Sequence, residues 1–233
     1  MRIFAFPTAY AGYTDFLYEG TRKERQSKRP CHPARAGIDT HDHLMADYII
    51  RDARPDDAPF LAKCIMAGMH FYDFETELPD DADIFGRLVE CERREDLLYS
   101  YRYTRIAEMN GAPVGSLLSY PGEIYREMRH KTFRELWPDL AQMDAESEME
   151  TGPGEYYLDS LAVIPSCRHQ GIGKALLLDG IRKGERLGYD RIVLVADSEM
   201  PHLVRLYESI GFVPADHRRA FGVDFQRMIY VLR

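Results

Sequence analysis

The residues best suited to chemistry lie together in Val163-Ile164-Pro165-Ser166-Cys167-Arg168-His169-Gln170-Gly171-Ile172-Gly173-Lys174-Ala175. An apolar run ends, a polar loop follows, and glycines lead into a helical pattern. The start of a helix carries unpaired N–H groups and a partial positive charge, so this arrangement suits a phosphate or pyrophosphate. Glycine lets such a ligand approach the backbone closely. Two phosphate motifs fail here. A P-loop needs a glycine five residues before Gly-Lys and a Ser/Thr after the lysine; this chain has Arg168 and Ala175 at those places. A dinucleotide fingerprint needs a third glycine for helix–strand packing, and Leu176 occupies that position. What remains is (Gln/Arg)-x-x-Gly-x-(Gly/Ala), met by Arg168-His169-Gln170-Gly171-Ile172-Gly173.

The surrounding pattern supplies elements to hold this loop. Tyr48–Arg51 reads as a short strand, and Arg54-Pro55-Asp56-Asp57-Ala58 as a helix entry with acidic residues in the first turn. Phe60, Leu61, Cys64, Ile65 and Met69 follow at helical spacing, and a second helix is expected over Asp83–Glu90. Tyr101–Met109 and Val114–Tyr120 alternate as strands around Asn110-Gly111, a type I′ turn pair, which makes a hairpin. Residues 121–154 interrupt the strands. They hold an amphipathic helix over Glu123–Leu136 and then an acidic run, Asp139, Asp144, Glu146, Glu148 and Glu150, broken by Gly152-Pro153-Gly154. Next come a buried-looking strand, Tyr156–Val163, a helix from Gly171 to a capping Gly188, and a strand over Arg191–Ala196. A helix over Pro201–Ser209 and a strand over Phe225–Leu232 complete the pattern, which implies a mixed α/β sheet around one core.

Leu206-Tyr207-Glu208-Ser209-Ile210-Gly211-Phe212 adds a second signature downstream of the first. Together the two resemble GNAT-type N-acetyltransferases, over roughly residues 48–233. The resemblance implies a mostly antiparallel mixed sheet, splayed at the acetyl-CoA site and flanked by helices. It implies acetyl-CoA as co-substrate, no metal, and direct transfer of acetyl to an amine of a small molecule or peptide. Leu161, Ala162 and Val163 would line the acetyl and pantetheine portions. Arg168, His169, Gln170, Gly171, Ile172, Gly173 and Lys174 would surround the pyrophosphate. Tyr207 matches the family's tyrosine near the coenzyme sulfur, where it would return a proton to the leaving thiolate. An N–H near Leu161 would stabilise the oxyanion.

The general base is less plain. The strand position where some members carry Glu is Tyr157 here. Strand alternation places Tyr157, Asp159 and Leu161 on one face, which makes Asp159 the expected base, acting through water, with Glu155 second. Met200 stands where many members have Asn. These departures leave a second reading open, a catalytically degenerate module that binds coenzyme A as a sensor or interaction domain.

Composition narrows the rest. The 233 residues carry a net charge of −8, which disfavours nucleic acid as a partner. Residues 1–45 hold seven Lys/Arg against five Asp/Glu, and residues 46–233 hold 23 against 33. The first part has no strand or helix period and is expected to be a poorly ordered extension, with Met45 as an alternative start of the 46–233 domain. His41-Asp42-His43 falls in that polar extension and is not read as a metal site. No apolar run approaches the roughly 20 residues that cross a bilayer, so no membrane partner is expected. Four dispersed cysteines without a CxxC pair suit free thiols in the cytoplasm. The acidic insertion favours a cationic acceptor. A homodimer is left open.

Overall fold

The computed structural model describes residues 47–68, 74, 82–138, 147–220 and 223–232. The extension 1–45, the acidic residues Asp139, Asp144 and Glu146, and Met69 lie outside them. Seven strands form one sheet. They are β1 (Tyr48–Asp52), β2 (Thr104–Met109), β3 (Ala112–Pro121), β4 (Tyr156–Val163), β5 (Arg191–Asp197), β6 (Val213–Ala220) and β7 (Val223–Val231). Their order across the sheet is β1-β2-β3-β4-β5-β7-β6. Every neighbouring pair is antiparallel except β4–β5, which is parallel. This is the mixed, mostly antiparallel architecture expected from the sequence.

Helices cover both faces. On one side lie α1 (Ala58–Gly68), α2 (Ala82–Glu92) and α3 (Tyr125–Leu136). Their apolar residues share a core with Leu118, Tyr120, Tyr157 and Val193 of the sheet. On the other side lie α4 (Ile172–Arg186) and α5 (Pro201–Glu208), over Leu117, Tyr156, Leu158, Ile192 and Leu194. The period-2 alternation of β3 and β5 thus feeds two cores, one on each face. Helix α4 rides close to the sheet on glycines. A Cβ at Gly184 would stand 2.5 Å from Ile192 Cδ1, and one at Gly180 would stand 2.7 Å from Leu117 Cδ2.

Several boundaries differ from the sequence reading. Tyr101–Tyr103 is a short 3-10 turn, and the strand begins at Thr104. The Ser100 hydroxyl accepts the Arg102 N–H there, so a local cap competes with strand pairing. Gly122–Ile124 is likewise a 3-10 turn ahead of α3. Helix α2 runs two residues beyond Glu90. Strand β6 was not expected at all. Its sequence, VPADHRRA, is polar and contains Pro214, because it is an edge strand with most residues in solvent. The hairpin turn is as read, with Asn110 at φ 53° and Gly111 at φ 76°.

Candidate active site

Two departures from regular sheet geometry create the site. The β4–β5 ladder holds only two residue pairs, Tyr156 with Ile192 and Tyr157 with Val193. Beyond them the two strands are no longer paired, which leaves the C-terminal part of β4 free of β5 as one wall of a candidate cleft. The β3–β4 register also slips. Leu117 faces Leu161 and Ser119 faces Leu158, so Asp159 and Ser160 together oppose Leu118 as a β-bulge.

The bulge corrects the face assignment made from simple alternation. Tyr157 and Asp159 do share a face, the one under α1–α3, where the Tyr120 hydroxyl donates to Asp159. Leu161 does not. It packs on the opposite face with Val163, and a Cβ at Gly173 would meet Leu161 and Val163 side-chain carbons at 3.8 Å. The extra residue in β4 therefore turns Asp159 to one side of the cleft and Leu161 to the other.

On the α4 side, the loop expected to hold pyrophosphate is built largely from backbone. His169 lies at φ 61° and Gly171 at φ 82°, two left-handed residues bracketing Gln170. They turn the chain sharply into α4, whose first backbone bond runs from Ala175 N–H to Gly171 O. The N–H groups of Ile172, Gly173 and Lys174 thus stand at the helix start, ahead of the intrahelical ladder. Arg168 Nε donates to Val163 O at 3.0 Å, which ties the loop to the strand end and occupies that carbonyl. Gln170 Nε2 donates to Ser166 O at 3.3 Å. The residues Arg168–Gly171 and Lys174 are exposed, whereas Ile172 and Cys167 are buried. Ala162 is buried in β4. This cradle of open N–H groups, beside a parted strand pair, suits an anionic group such as a phosphate.

Tyr207 sits on α5 and is buried, with its ring edge-on to Phe212 at 6.2 Å. Burial pushes its phenol up to about 12. It stays protonated at neutral pH, with a proton available to donate. Among the described residues its hydroxyl has no hydrogen-bond partner. Met200 precedes α5 without a side-chain cap, and Pro201 opens the helix.

The other side of the cleft is built from side chains. Asp159 accepts from Tyr120, and from Ser160 Oγ at 3.0 Å. The Tyr157 hydroxyl donates to Glu150. Burial, and then the Glu150 charge, raise the Asp159 carboxyl to about 7, while the Tyr120 and Ser160 hydrogen bonds and the Arg129 charge pull it down. Glu92 is 1% exposed, and its Oε2 has no partner among the described residues. Burial and the Asp159 charge raise it to about 8. Arg129 is also fully buried. Its guanidinium lies 5.6 Å from the Tyr125 ring centre, and it donates to Glu148 O at 3.1 Å. Tyr99, Tyr120, Tyr125 and Tyr157 are pushed well above 10 by burial, so each stays protonated at neutral pH.

The acidic insertion is not a free solvated face where it is described. Glu148 N–H donates to Arg219 O at 3.0 Å, and its carboxylate accepts Arg219 N–H at 2.6 Å. Residues 148–152 form a strap from β6 to the start of β4. The strap presses on Gly122, where a Cβ would fall 2.0 Å from Gly152 O. Glu155, the second candidate base, is committed to Arg227, Thr151 and the Gly152 N–H. It is a structural anchor. The sequence reading did not single out Tyr120, Glu92 or Arg129. One signal existed for Glu92: it follows Ile84 and Leu88 at intervals of four, which places a carboxylate on the apolar side of α2.

Known acetyltransferases resemble this chain in sequence and in fold. A mycothiol acetyltransferase from Thermobispora bispora is 39% identical over 72 residues, which is 30% of this chain and 24% of that protein. The uncharacterized N-acetyltransferase YvbK of Bacillus subtilis is 34% identical over 64 residues, 28% of this chain and 41% of YvbK. The matched stretches are thus less than half of either relative. An N-acetyltransferase from Staphylococcus aureus Mu50 shares the fold, with a TM-score of 0.66 at 21% identity over 78% of this chain and 100% of that one. The yncA structure from Salmonella typhimurium, solved with its cofactor acetyl-CoA, superposes with a TM-score of 0.51 at 19% identity, over 80% of this chain and 95% of that one. Residues 69–212 match the Acetyltransferase (GNAT) family, and the chain belongs to that family.

Proposed function

We propose that this protein is an acetyl-CoA-dependent N-acetyltransferase that acts on an amine held on the α1–α3 side of β4. The observation that supports it most is the parting of β4 from β5 after Tyr157, directly beside the glycine-rich start of α4. The coenzyme would supply an activated acetyl thioester. The N–H groups of Ile172, Gly173 and Lys174 would hold its pyrophosphate, with Arg168 and Lys174 contributing charge at the rim and His169, Gln170 and Gly171 shaping the turn. Leu161, Ala162 and Val163 would form the wall along its pantetheine arm.

Asp159 takes the proton of the incoming ammonium, directly or through water. A carboxyl raised to about 7 is a stronger base than an ordinary aspartate and is still half ionised near neutrality. A β4 N–H at the bulge, close to Leu161, donates to the oxygen on which charge develops. Tyr207 donates to the departing sulfur. Asp159 and Glu150 together favour an acceptor that arrives as a cation, whereas Glu92, raised to about 8, keeps its proton near neutrality.

The experiment is an amine panel incubated with acetyl-CoA and followed by free-thiol release, alongside calorimetric titration of coenzyme A. Binding with amine-dependent release supports the enzyme. Tight binding with no release for any amine would instead establish the sensor reading.

A further inference from the structure

A second cavity lies away from the coenzyme loop. It measures about 520 Å3 and opens between the strap, the start of α3 and strands β5–β7. Its charged lining is Arg126, Arg191, Arg218, Arg227, Glu150 and Glu155. Glu155 directly precedes β4 and Arg191 opens β5, so the cavity sits where this parallel pair begins. The cleft proposed for the coenzyme lies where the pair ends. The six residue steps from Glu155 to Leu161 span roughly 20 Å of extended chain.

The hydrogen bonds divide its arginines into two kinds. Arg227 is committed. Its Nε donates to Glu150 O at 3.2 Å, its Nη1 to Asp216 at 3.0 Å and its Nη2 to Glu155. Arg227 explains both carboxylates it touches. Arg191 has only a share in the same Glu155 Oε1, at 3.3 Å, and is about half exposed. Arg218 lies against Asp216 at 2.5 Å on the rim. Arg126 is exposed and has no charged or hydrogen-bond partner among the described residues. Glu150 Oε2 accepts from Tyr157, and both Glu155 oxygens are used. Four arginines on four separate elements thus line the cavity against two carboxylates, and Arg227 already engages one of those two. This positive surplus stands in a domain that carries 23 basic against 33 acidic residues.

We propose that this cavity is a second ligand site, which holds a phosphate or carboxylate group of a small molecule between Arg126, Arg191 and Arg218. Planar guanidinium forks match both anions in bidentate fashion. The volume falls within the range of small-metabolite pockets. The inference does not depend on acetyl transfer, because it concerns binding at the opposite end of β4.

The test titrates inorganic phosphate and, separately, succinate into the full chain at constant ionic strength. The protein is first saturated with coenzyme A, so that the glycine loop is not the site observed. Saturable binding of at least one probe is expected, weakened at least tenfold by Arg126→Met and by Arg191→Met. Arg182→Met removes an equal charge from α4, on the other face of the sheet, and should leave the affinity within twofold. Thermal melting of each variant confirms that it is folded; Arg126 is solvent-exposed, so its replacement should leave the midpoint unchanged. If neither probe binds, or if Arg182→Met weakens binding as much as Arg126→Met does, the site does not exist.

Discussion

The two sides of β4 solve different problems with different materials. Toward α4, the site is backbone: left-handed His169 and Gly171, the open N–H groups of a helix start, and a strand freed from its neighbour. Toward α1–α3 it is side chains: Asp159, Tyr120, Tyr157, Glu150, Arg129 and Glu92, drawn from two strands, two helices and a strap. A ligand common to a whole family can be held by peptide groups, which tolerate sequence change. An acceptor and its proton must be handled by particular side chains with tuned ionisation. The bulge at Asp159–Ser160 joins the two sides, because it turns Asp159 and Leu161, which regular alternation would place on one face, to opposite faces.

The contrast is broken most severely at the side chain proposed to move the proton. Asp159→Asn should cut kcat about 10²- to 10³-fold while leaving coenzyme affinity within a few-fold. The wild-type rate should rise as pH increases through about 7, since the base works when ionised. The variant should lose that limb in a kcat/KM profile. Tyr207→Phe comes next. It should lower kcat by about 10²-fold with little change in KM, because it removes only a donor to the leaving sulfur.

Gly171→Val attacks the backbone side instead. A β-branched residue at φ 82° costs about 1–2 kcal/mol. Calorimetry should show coenzyme A affinity lowered about tenfold or more, with the acceptor's KM little changed.

The smallest effect sharpens the comparison without touching chemistry. The Glu92 carboxyl ionises near 8 in the folded protein, against an ordinary value of 4.5. The folded state holds that proton more tightly, so stability falls as pH rises from about 4.5 to 8. Glu92→Gln cannot ionise. Its melting temperature relative to wild type should therefore climb between pH 6 and pH 9. A constant difference would mean that Glu92 is not held in the buried, proton-retaining state.

The sequence reading reached these two sides unequally, for a physical reason. The proposed pyrophosphate cradle is local: six consecutive residues leading from a strand end into a helix carry it, and glycine spacing reports backbone conformation directly. The hairpin, helix α4 and most strands were readable from period and turn residues in the same way. Strand β6 was hidden because an exposed edge has no apolar alternation. The bulge was hidden because one extra residue in β4 shows only against the register of β3, and it overturned the shared face inferred for Asp159 and Leu161. Tyr120, Glu92 and Arg129 lie 39, 67 and 30 residues from Asp159, so no local pattern could gather them. The acidic run suggested attraction of a cationic acceptor, but where it is described Glu148 and Glu150 fasten the strap and hold Tyr157.

Hydrogen–deuterium exchange with and without coenzyme A tests the division of β4 into two sides most directly. Protection should concentrate in residues 161–175 and around Tyr207, with residues 120–129 and 148–155 unchanged. Protection centred on 120–129 and 148–155, with 161–175 unaffected, would contradict the account.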